Sequence, residues 1–211
     1  INTIVDIDLW WGLKTGEYIV ENLNIPVTDI FSHTLRGEPW IDHEWLSQVL
    51  FYLTFSGSGW AGLNLLKALV ISLCFLMLFF LASSGFKKTV FSLPFLLLSI
   101  LAFGYRSFVR PEIFSYLLLC VFICTLEKKK PLYVLPLLQI LWVNLHGYFI
   151  VGPVLIFLYL AGDLFSEDRR HVKKLGMIFL LSLTACLVNP YFYKGALYPV
   201  NIIIEAFTAQ K

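Results

Sequence analysis

The sequence predicts an all-α membrane protein: a polytopic bundle of transmembrane helices, with interfacial helices in its first outer loop. Three observations carry this. Hydrophobic residues make up 58% of the 211, charged residues only 14%, and mean hydropathy is +0.77. Soluble domains average about a quarter charged, and a soluble fold of this length has too little interior to hide so much apolar surface. The apolar runs are also continuous rather than alternating, which argues against a transmembrane barrel. Finally, polarity is segregated. Residues 1–58 hold eight of the fourteen acids (Asp6, Asp8, Glu17, Glu21, Asp29, Glu38, Asp42, Glu44) and only two bases, Lys14 and Arg36.

Residues 1–58 are therefore expected to form an outer loop that carries the chemistry, and residues 59–190 a scaffold of six spans. Residues 191–211 would be a further outer loop or the start of another segment. The chain begins at Ile1 with neither a basic n-region nor an apolar h-region, so it reads as part of a longer protein that lacks a span before Ile1. Within the loop, residues 9–23 predict an amphipathic helix. Leu9, Trp10, Leu13 and Val20 lie near one face, and Lys14, Glu17 and Glu21 lie on another. Residues 24–39 are rich in turn formers. Asp42 is placed to cap a second helix from His43 to about Tyr52. Trp45, Leu46, Val49 and Leu50 make that helix greasy enough for the headgroup layer, where aromatic side chains concentrate. Ser56, Gly57, Ser58 and Gly59 then read as a hinge.

The spans follow in order. Residues 60–84 are long enough to cross a bilayer, with Lys67 as the only charge, able to snorkel. Residues 89–104 and 111–126 follow, the latter opened by Pro111. Residues 131–163 hold one charge, Asp163 at the end, and are too many for one span. They are split at Asn144–Gly147 into two short arms, one of which is expected to be partly re-entrant. Residues 175–188 make the sixth. Bases concentrate in alternate loops: Lys87 and Lys88; Lys128, Lys129 and Lys130; Arg169, Arg170, Lys173 and Lys174. These loops are cytoplasmic by the positive-inside rule, which puts residues 1–58 outside.

That topology collects every unusual polar cluster on the outer side, and polar groups at membrane depth tend to mark sites. Asp6 and Asp8 lie two residues apart, so in an extended chain they point the same way. They suit a general base or a hard divalent ion, Mg²⁺ or Mn²⁺. Helix capping by Asp8 is the structural alternative. His43 and Glu44 are further metal-ligand candidates, although Ser47 stands where a zinc-protease helix would need its second histidine. Arg106 and Arg110 could grip a phosphate at headgroup height, because guanidinium binds phosphate in a fork. Bulk lipid phosphate is the alternative partner. Asn144 and His146 end an apolar stretch and fit either a helix–helix hydrogen bond or a substrate contact. His171, among charges, reads as solvated. The four cysteines (Cys74, Cys120, Cys124, Cys186) sit in apolar runs and read as buried thiols.

Several stretches together resemble the GT-C fold glycosyltransferases. They are Asp6 to Trp11 with Gly16 and Glu17; Asp29 to Ser32; Trp40 to Leu46; Arg110, Pro111 and Glu112; Trp142 to Gly147; and Asn189 with Pro190. That superfamily includes the protein O-mannosyltransferases, the aminoarabinose transferases and the oligosaccharyltransferase catalytic subunits; this chain looks like a bacterial branch with mostly unassigned substrates. The resemblance implies a sugar donor on a polyprenyl phosphate and a protein, lipid or glycan acceptor reached from the periplasmic face of the inner membrane. It implies Asp6 or Asp8 as base or metal ligand. It implies Arg106 or Arg110, with Glu112, Asn144 and His146, as substrate contacts. No nucleic acid is implied. A non-catalytic subunit of the same fold, binding lipid or scaffolding a complex, is the other expectation. A transporter is disfavoured by the near absence of ionisable groups at mid-span.

Overall fold

The computed structural model describes residues 7–83, 86–104, 108–128, 131–165 and 168–208. Among them the chain is all-helical, apart from a single bridge between Thr28 and Pro39. Helix α1 (Ile7–Asn22) buries Leu9 and Leu13 in one cluster with Phe51 near the start of α2 (Trp45–Ala82). Gly16 lets the two helices approach: a Cβ there would overlap the carbonyl of Gln48.

Helix α2 runs 38 residues but breaks at Gly59, where φ 57 and ψ −149 fall in a region only glycine occupies easily. The break lies in the hinge read from the sequence. Asp42 does not cap this helix in the expected register. Glu44 stands at the N-cap, and the Asp42 carboxylate instead accepts the Glu44 N–H at 3.3 Å.

After α3 (Phe86–Gly104) and α4 (Glu112–Glu127), the long apolar stretch divides as expected. Helix α5 (Val134–Leu145) stops where His146 turns extended, at φ −166 and ψ 148. A 3₁₀ turn (Gly147–Ile150) leads into α6 (Val151–Asp163). Helix α7 (Arg169–Ala185) corrects the sequence reading. Its first two turns are the basic run taken for a loop, because Asp168 caps it and accepts the His171 N–H at 3.1 Å. His171 is not simply solvated either: its Nε2 lies 3.2 Å from Asp163. Helix α8 (Tyr193–Thr208) ends the described chain.

A bundle of six membrane spans is not shown by these helices. Only α2, among the described residues, is long and apolar enough to cross a membrane. At 1.5 Å per residue the 12 residues of α5 reach roughly 18 Å, against a hydrocarbon core of about 30 Å. The core of the bundle is aromatic and aliphatic: Trp142, Phe51, Phe122, Phe149, Leu63 and Ile156 are fully buried. Cys74, Cys120 and Cys186 are buried free thiols, as expected, and Cys124 is half-buried. The outer surface is unusually greasy, with Leu73 and Phe80 of α2, Phe91, Phe95 and Leu98 of α3, Leu180 of α7 and Ile203 of α8 all exposed.

Candidate functional site

The acidic loop and the far ends of the bundle meet around a cavity of about 230 Å³. Its walls come from three places. Asp8, Leu9, Trp11 and Gly12 are the first turns of α1. Trp40, Asp42, His43, Glu44, Gln48 and Phe51 lead into and open α2. Val109, Arg110 and Pro111 precede α4. The loop between α1 and α2 holds its shape locally. Asp29 accepts the N–H groups of Phe31 (2.9 Å) and Ser32 (2.8 Å), and Trp40 donates its N–H to the Val27 carbonyl at 2.9 Å. The Ser32 hydroxyl also donates to Asp29, and with the Phe31 and Ser32 N–H groups it holds the Asp29 carboxyl below its ordinary pKa. The loop hydrogen bonds also stack Phe31 and Trp40 against Trp11, with centroids 5.1 and 6.1 Å away.

The exposed end of the cavity is an ion pair. Arg110 Nη2 lies 3.0 Å from Asp8 Oδ2, with the Asp8 side chain 74% exposed. The buried end is carboxylate and amide. Asp42 and Gln48 are almost fully buried, and Gln48 Nε2 donates to Asp42 Oδ1 at 3.0 Å. Among the described residues, Asp42 Oδ2 and Gln48 Oε1 find no hydrogen-bond partner. Burial pushes the Asp42 carboxyl up to about 7. Its backbone N–H donates to the Tyr191 hydroxyl at 3.1 Å, which itself donates to the Pro26 carbonyl at 2.9 Å. The last loop is thereby pinned to the first.

Between the two ends stands Glu44. Its Oε1 lies 3.2 Å from His146 Nε2 and 3.5 Å from His43 Nε2, and the His43 ring stacks on Tyr198 at 4.1 Å. Behind His146, Trp142 Nε1 donates to Ser115 Oγ at 2.8 Å, and Ser115 Oγ lies 2.9 Å from His146 Nδ1. Burial lowers the His146 pKa, partly opposed by the Glu44 charge.

Of the residues singled out from the sequence, Asp8, His43, Glu44 and Arg110 line the one cavity. Asp6 and Arg106 lie outside the described residues. Glu112, Asn144 and His146 are not in its wall. Glu112 accepts the Tyr116 hydroxyl at 3.1 Å. Asn144 accepts the Trp45 indole N–H at 2.9 Å and donates to the Ile140 and Val188 carbonyls, so the helix–helix alternative describes what it does. Asn189 shapes its own turn, accepting the Tyr191 N–H at 2.9 Å and donating to the Cys186 carbonyl. No three His, Cys, Asp or Glu residues among those described are arranged to hold a metal ion. His146 Nδ1 accepts the Tyr148 N–H at 3.3 Å, which places the ring proton on Nε2. Sequence reasoning missed Gln48 and Ser115; the only signal was a polar side chain inside an otherwise apolar helix.

A second, apolar cavity of about 310 Å³ lies between α2, α3 and α4, walled by Ile71, Phe75, Leu78, Phe103, Leu119 and Ile123. Tyr116 belongs to its wall while donating to Glu112, two residues beyond Arg110. The chain matches no family model, and no match is found among curated proteins or solved structures.

Proposed function

We propose that this chain is part of a polytopic membrane glycosyltransferase of the GT-C kind, moving a sugar from a polyprenyl-phosphate carrier to an acceptor on the outer, periplasmic face. The observation that carries this reading is the meeting of Asp8 and Arg110 over a cavity whose far wall holds Glu44. A lipid phosphate needs a guanidinium fork beside an apolar channel. Arg110 supplies the fork, and the apolar groove between α2, α3 and α4 would supply the channel. The exposed leucines and phenylalanines of α2 and α3 suit a hydrocarbon surround, in which α2 crosses and the shorter helices complete the layer.

In this reading Asp8 is Arg110's resting counter-ion and yields when the carrier phosphate arrives. An exposed pair of this kind is worth about 1 kcal/mol or less, so a phosphate displaces it cheaply. Arg110 then stabilises the charge that develops on the leaving phosphate. Mg²⁺ or Mn²⁺ at Asp8 and Asp6 belongs to the same proposal. Turnover that vanishes with a chelator and returns with either ion supports it, and turnover indifferent to chelation removes it.

The test is binding of undecaprenyl phosphate to the full-length protein in nanodiscs, followed by transfer from undecaprenyl-phosphate hexoses. Arg110→Ala should weaken binding more than Arg110→Lys, because lysine keeps the charge and loses the fork. Equal affinity in all three proteins removes the phosphate role of Arg110. Binding without any transfer leaves the non-catalytic subunit reading ahead.

A further inference from the structure

We infer that Glu44 is the proton acceptor of this cavity and that His146, through a buried chain of donors, is the residue that positions it. The inference rests on the transfer reading and supplies the atom that reading lacks.

The chain of donors has only one consistent direction. An indole N–H can only donate, so Trp142 gives its proton to Ser115 Oγ at 2.8 Å. The Ser115 hydroxyl then gives its own proton to His146 Nδ1 at 2.9 Å, and the same nitrogen takes the Tyr148 backbone N–H at 3.3 Å. With donors on Nδ1, the ring carries its single proton on Nε2, which is 3.2 Å from Glu44 Oε1. His146 is thus a neutral donor held at one angle by side chains of α4 and α5. It fixes the carboxylate without cancelling its charge.

The alternatives are weaker on geometry. Asp8, with a 74% exposed side chain, faces Arg110 and water. Asp42 shares the cavity wall but is only 2% exposed, and its Oδ1 is taken by the Glu44 N–H and the Gln48 amide. Glu44 is partly sheltered, its side chain 25% exposed, and it lies in the cavity wall. Both histidines address Oε1, so the proton is taken at Oε2. In the step itself, the acceptor hydroxyl loses its proton to Glu44 while its oxygen lone pair forms the bond to the anomeric carbon. The bond from that carbon to the phosphate oxygen breaks, its electron pair leaves on the phosphate held by Arg110, and Glu44 returns its proton to water at the exposed end. The charges facing His146 are Glu44, His43 and Glu112.

Two measurements test this in the full-length protein in nanodiscs. The first is the ¹⁵N spectrum of labelled histidine from pH 5 to 9. His146 should show the neutral Nε2–H tautomer. Its titration midpoint should fall further in Glu44→Gln, where the neighbouring anion is gone, and Ser115→Ala should shift the Nδ1 resonance, since one of its two donors is lost. An Nδ1–H tautomer, or a midpoint that ignores Glu44→Gln, overturns the pairing. The second is transfer from a panel of undecaprenyl-phosphate hexoses. Glu44→Gln should lower kcat by roughly 100-fold or more with donor KM unchanged. Ser115→Ala should lower kcat less and alter the pH profile. Unchanged kcat in Glu44→Gln overturns the role of Glu44. If the parent protein transfers nothing, the transfer reading and the catalytic role fail together, while the spectra still decide whether the pair exists.

Discussion

Arg110 stands 3.0 Å from Asp8, so the first turn of α1 is tied by charge to the chain that opens α4. The pair is exposed, which limits its contribution to about 1 kcal/mol, and its removal should be felt in binding more than in folding. Asp8→Asn keeps the shape and removes the competitor for the guanidinium. Undecaprenyl phosphate should bind this variant up to roughly fivefold more tightly, with thermal stability little changed. Weaker binding would instead mean that Asp8 orients Arg110 for the phosphate.

Asp42 should make stability depend on pH. Its carboxyl titrates near 3.8 when unfolded and about 7 when folded, raised chiefly by burial. Between those values the native chain binds more protons than the unfolded one, so stability falls as pH rises from about 4 to 7 and levels off above. Asparagine mimics the neutral acid and has no such slope. The stability advantage of Asp42→Asn should therefore grow by roughly 3 kcal/mol between pH 5 and pH 8. Thermal denaturation in detergent at the two pH values reads this directly, and parallel curves for both proteins would mean that Asp42 is already ionised in the fold.

What the sequence made legible were local signals. The hinge at Gly59, the split of the long apolar stretch at His146 and the first amphipathic helix all follow from nearby residue types. The basic turns of α7 were misread because charge suggested a loop, while Asp168, a strong cap just before Arg169, favoured a helix. The ends of the apolar helices were largely legible too, but apolar composition reports burial or lipid contact alike, and among the described residues only α2 is long and apolar enough to cross a membrane. In the site, Asp8, Glu44 and Arg110 stood out as charges in a greasy chain. Their distances depend on tertiary packing, and so does the route from Trp142 through Ser115 to His146, whose links join α4, α5 and the 3₁₀ turn. No periodicity encodes such a route.

Asn144 clasps three elements. It accepts from Trp45 and donates to the carbonyls of Ile140 and Val188. Asn144→Ala strands the indole N–H of Trp45 and the Val188 carbonyl, at a cost of about 1–3 kcal/mol. Asn144→Asp keeps the acceptor and loses the donor, so it should fall between. Both variants should lower the melting temperature while leaving undecaprenyl phosphate affinity within about twofold, the limit set by roughly 0.4 kcal/mol. A selective loss of lipid affinity at parent stability would return Asn144 to the substrate contacts.

Gly12 and Gly16 separate space from propensity on one helix. Both face Gln48, but a Cβ at Gly12 would meet only its side chain, at 3.6 Å, an ordinary contact. A Cβ at Gly16 would overlap the Gln48 backbone carbonyl and crowd the Cβ of Tyr52, and backbone cannot rotate away. Gly12→Ala should therefore be neutral or stabilising by up to about 1 kcal/mol, the helical preference of alanine over glycine. Gly16→Ala should lift α1 from α2 and cost about 1–3 kcal/mol, the usual scale of overpacking. Since Asp8 rides on the same helix, Gly16→Ala should also weaken its coupling to Arg110, measured as a double-mutant cycle with Asp8→Asn and Arg110→Ala. Equal melting temperatures for the two alanine variants would show that α1 does not lie on α2 at Gly16.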